Sequence, residues 1–278
     1  MKFQVLISIV MSMSLCDKYT IGLLKGNTAE NQMTLLTLLV NTAVIGNYTT
    51  PNVGIVVPGI LAKGVFNGQD VNLLPFFTGE LSTTNVKDVA SKVNFLDGGG
   101  ALPLQMNLPA NDTASNQYFL LLHLYQLFGS LLECSLQSSV TAFKPYSGDI
   151  SMYSVHKFMN LNAAQVGYFI QQVGLSAASF GVSTEDVSYV GNALTTLFNT
   201  KCSRAVALTP QTTPDLQSVC TGDNCVVAKD SDSICLSNST TPTTTTTTAK
   251  TPEQTTTKNN DKRNGFKWMT LLFLMILT

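Results

Sequence analysis

The sequence predicts an all-α domain with long loops, followed by a cysteine-rich segment and a threonine-rich stalk. Apolar residues recur at helical spacing in four segments, and capping residues precede two of them. Strand patterns are scarce: the main β-branched run is NVGIVVPGIL, from Asn52 to Leu61. Prolines bracket or interrupt that run, which disfavours a central strand. A helical fold is therefore expected.

Four helices are predicted from these apolar patterns. Asn162 can cap the third, and Gly181 ends it. Ser183 opens the fourth, with Asp186 as an acidic capping-box partner. The helices cover residues 31–45, 116–132, 163–180 and 184–198.

The connections between these helices are predicted to be long loops. Residues 46–72 are rich in Gly, Pro and Asn, and residues 81–114 form a second connection. Within the latter, Asp97-Gly98-Gly99-Gly100 fits no nucleotide-binding spacing, so we interpret it as a flexible turn. Between the two loops lies a tight aromatic corner, Leu74-Pro75-Phe76-Phe77.

The N-terminal residues indicate secretion. In MKFQVLISIVMSMSL, a lysine precedes an apolar run, and Ser12 and Ser14 supply a cleavage pattern. Residues 1–14 are therefore predicted to be a signal peptide. Three glycosylation sequons, which begin at Asn47, Asn111 and Asn238, fit a secreted glycoprotein.

The C-terminal residues indicate attachment to a surface. Residues 236–260 are mostly threonine with some proline, which is typical of an O-glycosylated stalk. Residues 261–278 end in an apolar stretch, Trp268–Leu277, that is too short to span a bilayer. This order predicts a GPI-anchor signal, and hence a protein on the outer face of the plasma membrane or in the cell wall. The alternative is an interfacial C-terminal helix.

Six cysteines in a secreted chain predict disulfide bonds, whose connectivity the sequence leaves open. Four of them lie after residue 200. Because no histidine is nearby to complete a zinc site, we expect them to staple residues 201–235 as a cysteine-rich extension.

Charge and motifs disfavour two functional classes. The net charge of −1 makes nucleic acid an unexpected partner. The sequence lacks G-x-S-x-G, H-E-x-x-H, paired-carboxylate and P-loop patterns, so no enzyme chemistry is indicated. The sequence identifies no protein or glycan partner.

One of the two histidines has an unusual setting. Met152, Val155, His156 and Met159 would share one apolar face of a helix. His156 can be a core residue whose ring is hydrogen-bonded to a backbone carbonyl. It can also be a haem ligand, because haem needs an imidazole that projects into an apolar pocket.

Several blocks around His156 resemble truncated (group I) haemoglobins. Met152–His156 is similar to the helix that carries the proximal histidine in that family, and Tyr146-Ser147-Gly148 matches the preceding turn. Gly181–Asp186 is similar to the start of the last helix of the family, and Leu74–Phe77 to the corner before its distal helix. The blocks keep the family's order across residues 15–200, with insertions between them. VHKFM and AASFGV also resemble segments of secreted fungal proteins of unknown role.

The resemblance implies a globin-like domain over residues 15–200 that binds haem, with His156 as the iron ligand. Phe76 or Phe77 would pack on the macrocycle. Val155 and Phe169 would border the proximal side, and His123 would lie one residue from the distal face. The distal helix would present Leu120, Leu124 and Phe128.

Two functional hypotheses follow. In the first, the protein is a surface-anchored globin that binds haem through His156. In the second, it is a cofactor-free cell-surface glycoprotein on a globin-derived fold, and it serves in wall structure, adhesion or host contact. The signal peptide, stalk and anchor fit both.

The predicted anchor leads to a direct test. Phosphatidylinositol-specific phospholipase should release the protein from intact cells, because the lipid would be its only attachment. Mass spectrometry of the released protein should find no peptide from Trp268–Thr278. A protein that stays on the cells and keeps those residues would contradict the prediction.

Overall fold

Helices and small β-sheets together form the described part of the chain, residues 13–49, 52–209 and 212–231 of this computed structural model. Of these residues, 43% are helical and 11% lie in strands or bridges. The all-α prediction is therefore wrong: the fold is mixed α/β. The predicted stalk and GPI signal lie outside the described residues, as does the signal peptide except for Met13 and Ser14.

The α-helices, numbered in chain order, are α1 Leu15–Leu24, α2 Ala29–Ile45, α3 Leu74–Thr78, α4 Ala101–Gln105, α5 Asn116–Leu131, α6 Met152–His156, α7 Ala163–Ser179 and α8 Thr184–Phe198. A 3-10 turn, Lys157–Met159, follows α6 directly. The strands are β1 Gly64–Phe66, β2 Gln69–Val71, β3 Thr84–Val86, β4 Val89–Ser91, β5 Thr200–Lys201, β6 Val206–Ala207, β7 Pro214–Asp215 and β8 Val226–Val227. They pair as β1–β2, β3–β4 and β6–β7, all antiparallel, and as parallel β5–β8.

All four predicted helices are present as α2, α5, α7 and α8. The Asn162 side chain accepts a hydrogen bond from the backbone N–H of Gln165 at 2.9 Å, and Gln165 Oε1 accepts one from the backbone N–H of Asn162 at 2.9 Å. Ser183 caps α8 as expected. Asp186 does not complete a capping box there, because the Ser183 N–H donates to the hydroxyl of Tyr19.

Two of the sheets are hairpins within the predicted loops. Their central residues, Asn67-Gly68 and Lys87-Asp88, all have positive φ. Such turns match the right-handed twist of paired strands, and Asn-Gly is the strongest short-range signal for them. The sequence interpretation missed these hairpins because each strand has only three residues and shows no long alternating pattern.

The first hairpin packs closely against α7. A Cβ atom on Gly167 would lie 2.3 Å from the Phe66 ring, and one on Gly64 would lie 2.4 Å from the Tyr168 ring. The Tyr168 hydroxyl also hydrogen-bonds to the carbonyl oxygen of Ala62 at 3.2 Å. The two glycines therefore form notches for aromatic rings across the hairpin–helix interface.

Helix α2 lies at the centre and contacts α1, α4, α5 and α7. Its buried Asn41 accepts a hydrogen bond from the Tyr125 hydroxyl at 2.6 Å and donates one to the Leu104 carbonyl at 3.1 Å. Its fully buried Gln32 donates to Asp17 at 2.7 Å and accepts from the N–H of Leu136 at 3.0 Å. These polar side chains tie α2 to the elements around it.

The Asp97-Gly98-Gly99-Gly100 loop anchors the start of α5 and is not a loose turn. The Asp97 carboxylate accepts hydrogen bonds from the backbone N–H groups of Asn116 and Gln117 at 3.1 and 2.9 Å. Burial raises the pKa of Asp97, but these hydrogen bonds outweigh it and hold the pKa below its ordinary value. The negative charge of the Asp97 carboxylate also interacts favourably with the positive, N-terminal end of the α5 helix dipole.

The predicted disulfide bonds are present. Cys16 on α1 pairs with Cys134 beyond α5, 118 residues away, and Cys220 pairs with Cys225. Cys202 is also disulfide-bonded. These bonds are compatible with an extracellular protein. Among the described residues, no helix is both long and apolar enough to cross a bilayer.

The Cys16–Cys134 and Cys220–Cys225 disulfide bonds should differ strongly in their effect on the free energy of unfolding. In the loop-entropy view, the 118-residue separation of Cys16 and Cys134 corresponds to about 5 kcal/mol, and the separation of five to about 2 kcal/mol. We expect the C16S/C134S variant to lose clearly more free energy of unfolding than C220S/C225S in urea titrations. Equal losses would contradict the loop-length argument.

Candidate functional site

His156 is the last residue of α6, a short helix that hydrogen bonds to neighbouring segments hold in place. Ser151 caps α6 and donates its hydroxyl to the Leu216 carbonyl at 2.9 Å. From the other side, the Asn85 amide of β3 donates to the Ser154 carbonyl at 3.2 Å. Because α6 has only five residues and continues as a 3-10 turn, the predicted apolar face is interrupted at His156.

The ring of His156 has a defined tautomer. Its Nδ1 lies 2.8 Å from the carbonyl oxygen of Met152, and a carbonyl can only accept, so Nδ1 carries the hydrogen. The other nitrogen, Nε2, therefore has the lone pair. Burial lowers the pKa of His156 below its ordinary 6.5, and the Met152 carbonyl offsets only part of this effect.

An apolar cavity lies between α1, α2, α5, α7 and α8. The cavity itself has a volume of about 80 Å³. The figure becomes about 920 Å³ if all the space between the walls is counted together with the open solvent at the mouth. The walls are almost entirely aliphatic and aromatic. Small residues on α2, α7 and α8 help to leave the space open: Ala43, Gly174, Ala177 and Gly191.

The predicted site residues fall in several places. Three line the cavity: Leu124, Phe128 and Phe169. Two border a separate pocket of about 10 Å³, Phe77 and Leu120, while Phe76 is buried in the core. His123 is exposed, with its ring 6.0 Å from that of Tyr146. Val155 and His156 line neither pocket, so the structure does not bring the predicted set together.

The predicted haem ligand and the described cavity lie apart. A haem site needs an imidazole nitrogen that points into an apolar slot wide enough for the macrocycle. An iron-bound imidazole needs a hydrogen-bond partner for its other nitrogen, and Nδ1 of His156 has one in the Met152 carbonyl oxygen. The ring of His156, however, does not line the cavity. Neither histidine lines the cavity. Across residues 13–49, 52–209 and 212–231, no cluster of three His, Cys, Asp or Glu side chains could hold a metal ion. Haem binding stays a prediction.

The cavity has one polar corner, formed where α1 meets α8. The Tyr19 hydroxyl and the Lys18 ammonium group donate to the same oxygen of Asp186, Oδ2, at 2.5 and 2.7 Å. Tyr19 also accepts from the N–H of Ser183 at 3.0 Å. Tyr19 and Asp186 line the cavity. We did not predict this corner, because its residues lie more than 160 positions apart in the sequence.

Asp186 is ionised in this setting. Burial raises its pKa, but the hydrogen bonds from Lys18 and Tyr19 outweigh burial and hold the pKa below its ordinary value. The ion pair lies at the edge of the cavity: 51% of the Lys18 side chain and 21% of the Asp186 side chain are exposed. The corner is therefore a hydrogen-bonding group with little net charge.

Comparison with protein-family models, curated proteins and solved structures finds no match for this chain. The resemblance to truncated haemoglobins therefore stays a prediction.

The partly buried setting of His156 leads to a pH prediction. Because its pKa is lowered in the folded state, the unfolded chain takes up the proton first as the pH falls below about 6.5. Folding stability should then decrease between pH 7.5 and 5, with a contribution of up to about 1.4 kcal/mol per pH unit. Substitution H156Q should flatten this part of the curve in urea titrations.

The exposed His123 provides the matched control, so H123Q should leave the pH dependence unchanged. A wild-type slope that persists in H156Q would show that another group titrates in this range.

Proposed function

We propose that this protein is a secreted glycoprotein, held at the cell surface, that binds a lipid-like molecule in the cavity between α1, α2, α5, α7 and α8. The observation that supports the proposal is the cavity itself, with its almost wholly apolar walls. Ligand sites in proteins are typically concave and apolar with a few polar groups.

The energetic cost of the cavity supports a binding role. Protein interiors are normally close-packed, and an empty apolar cavity costs about 24 cal/mol per Å³. For about 80 Å³ this amounts to about 2 kcal/mol of lost stability. Larger side chains at Ala43, Gly174 or Ala177 could reduce that cost. A ligand that occupies the space would instead recover the lost contacts.

The size of the cavity favours a slender ligand. An apolar cavity of about 150 Å³ accommodates a benzene ring. A volume of about 80 Å³ is smaller, which favours a narrow hydrocarbon segment over a wide, rigid ring system. The proposed ligand class is therefore a single-chain lipid.

The predicted ends of the chain support a surface location. The signal peptide, stalk and lipid anchor would place the domain outside the cell, where disulfide bonds persist. A lipid-binding domain at that surface would have membrane or wall lipids within reach. Roles in wall structure, adhesion or host contact belong to this same hypothesis.

A haem-binding globin is the second candidate. It is favoured by the ring of His156, whose Nδ1 is bonded to Met152 and whose Nε2 keeps a lone pair, as an iron ligand requires. It also requires the region around His156 to open into a haem pocket.

Binding of the rod-shaped hydrocarbon dye diphenylhexatriene tests the proposal. The dye fluoresces in apolar surroundings, so fluorescence should rise and saturate on titration with the secreted protein. Gly191 lines the cavity, and a Cβ there has open space around it. Substitution G191L should fill part of the cavity and weaken dye binding about tenfold, which corresponds to about 1.4 kcal/mol.

Gly22 supplies the matched control. It is also a helical glycine with open space around its Cβ, but it is exposed and does not line the cavity. Both substitutions should favour helix formation. G22L should bind the dye like the wild type. Absence of dye binding, or equal binding by G191L and G22L, would refute the cavity proposal.

Haem reconstitution distinguishes the haem-binding hypothesis from the lipid-binding proposal. If His156 binds iron, the haem-loaded protein should show a Soret band that is lost in H156A and at most shifted in H123A. A wild-type protein without that band, or a band unchanged in H156A, would remove haem from consideration.

A further inference from the structure

We infer that Asn47 and Asn111 both carry N-linked glycans, and that these glycans cover an apolar surface on the loops after α2 and after α4. We refer to Val56 on the first loop, with Met106 and Leu108 on the second, as the loop surface. The inference depends on the proposed secretion of the protein and not on the cavity.

The loop surface is strongly exposed for apolar side chains. Val56, Met106 and Leu108 are 78%, 60% and 47% exposed. The two loops are joined directly, because the Tyr48 hydroxyl donates a hydrogen bond to Oδ1 of Asn107 at 2.6 Å. Asn107 lies between Met106 and Leu108 in the chain. Exposed apolar groups gathered in one area indicate a surface that something else covers.

Asn47 is held in a position that suits modification. Its backbone N–H donates to the Val57 carbonyl at 3.1 Å, and its Oδ1 accepts from the Val57 N–H at 2.6 Å. The residue is nevertheless exposed. N-glycosylation uses Nδ2 alone, so the modified amide can keep Oδ1 on Val57. This hydrogen bond fixes the start of the glycan beside Val56, the neighbour of Val57.

Asn111 provides a second attachment point on the other loop. It is exposed and follows Leu108 by three positions. Its backbone N–H donates to the Gly98 carbonyl at 2.7 Å. A Cβ atom on Gly99 would lie 2.4 Å from Nδ2 of Asn111, so the glycine leaves room beside the atom that would carry the sugar. The second glycan therefore starts from the loop of Met106 and Leu108.

The chemistry of the glycans suits both the attachment points and the surface. C1 of the first N-acetylglucosamine bonds to Nδ2, the bond from C1 to the diphosphate of a lipid-linked oligosaccharide breaks, and Nδ2 gives up one proton. Such glycans are bulky and solubilising. The C–H faces of their rings can pack on apolar side chains while the hydroxyl groups face water. Glycans beside both loops would also obstruct a protein partner, which favours the glycans themselves as the cover.

Removal of both sequons tests the inference. Mass spectrometry of glycopeptides from the secreted protein should find N-glycans on Asn47 and Asn111. T49A/T113A removes both sequons and keeps both asparagines, whereas T49S/T113S keeps the sequons as the matched control. In gel filtration, T49A/T113A should shift to larger species because the loop surface is uncovered. T49S/T113S should elute with the wild type.

Polar substitutions identify the cause of any such shift. Addition of V56T/M106Q/L108Q to the variant without sequons should restore the wild-type elution. Val86 and Val89, on the β3–β4 hairpin, are also strongly exposed, so V86T/V89T should not restore it. A variant that is damaged only by the loss of the threonine side chains would be rescued by neither set.

Each outcome supports or overturns the inference. Unmodified Asn47 or Asn111 in a protein whose stalk carries O-linked sugars overturns it and leaves the proposed secretion standing. Wild-type elution of T49A/T113A, rescue by neither set, or equal rescue by the hairpin substitutions also overturns it. Dye binding tests the cavity independently, so a glycosylated protein that does not bind the dye would contradict only the lipid-binding proposal.

Discussion

The burial of α2 on several sides is the constraint on which the rest of the fold depends. A buried side-chain amide in this position cannot reach water, so it needs a hydrogen-bond partner in a neighbouring element. Asn41 finds partners on α4 and α5, and Gln32 on α1 and in the segment after α5. The polar residues of α2 thereby position its neighbours.

The cavity follows from the same arrangement. Helices α5, α7 and α8 surround one side of α2, and small residues on the facing surfaces leave space between them. Helix α1 borders that space with Leu15, Cys16 and Tyr19. It is held by the Cys16–Cys134 disulfide bond and by the hydrogen bond from Tyr19 to Asp186. One covalent bond and one hydrogen-bonded cluster thus define the same boundary of the cavity.

The sequence was informative where structure is encoded locally. The long helices α2, α5, α7 and α8 have apolar periodicity, and Asn162 and Ser183 mark two of their starts. The hairpins were missed, although Asn67-Gly68 is a strong turn signal, because their short strands leave no periodic pattern. The predicted turn at Asp97–Gly100 is present, but its hydrogen bonds to the start of α5 were missed, because that partner lies about twenty residues further on.

The candidate site was harder to predict than the helices. Leu124, Phe128 and Phe169, which the resemblance named as haem contacts, line the apolar cavity. His156 was expected beside the same space on the assumption of a continuous helix, but α6 ends there. Tyr19 and Asp186 meet only through the tertiary fold, and no local pattern connects them.

The Cys16–Cys134 bond also has a consequence for how the molecule survives proteolysis. Exposed loops are preferred cleavage sites, and Val53 and Val56, 62% and 78% exposed, lie in a loop between the two cysteines. A cut there leaves both fragments covalently joined, with α2 still packed between α1 and α5. Such a nicked molecule would migrate as one chain until it is reduced, and it would keep the walls of the cavity together after the backbone has been broken.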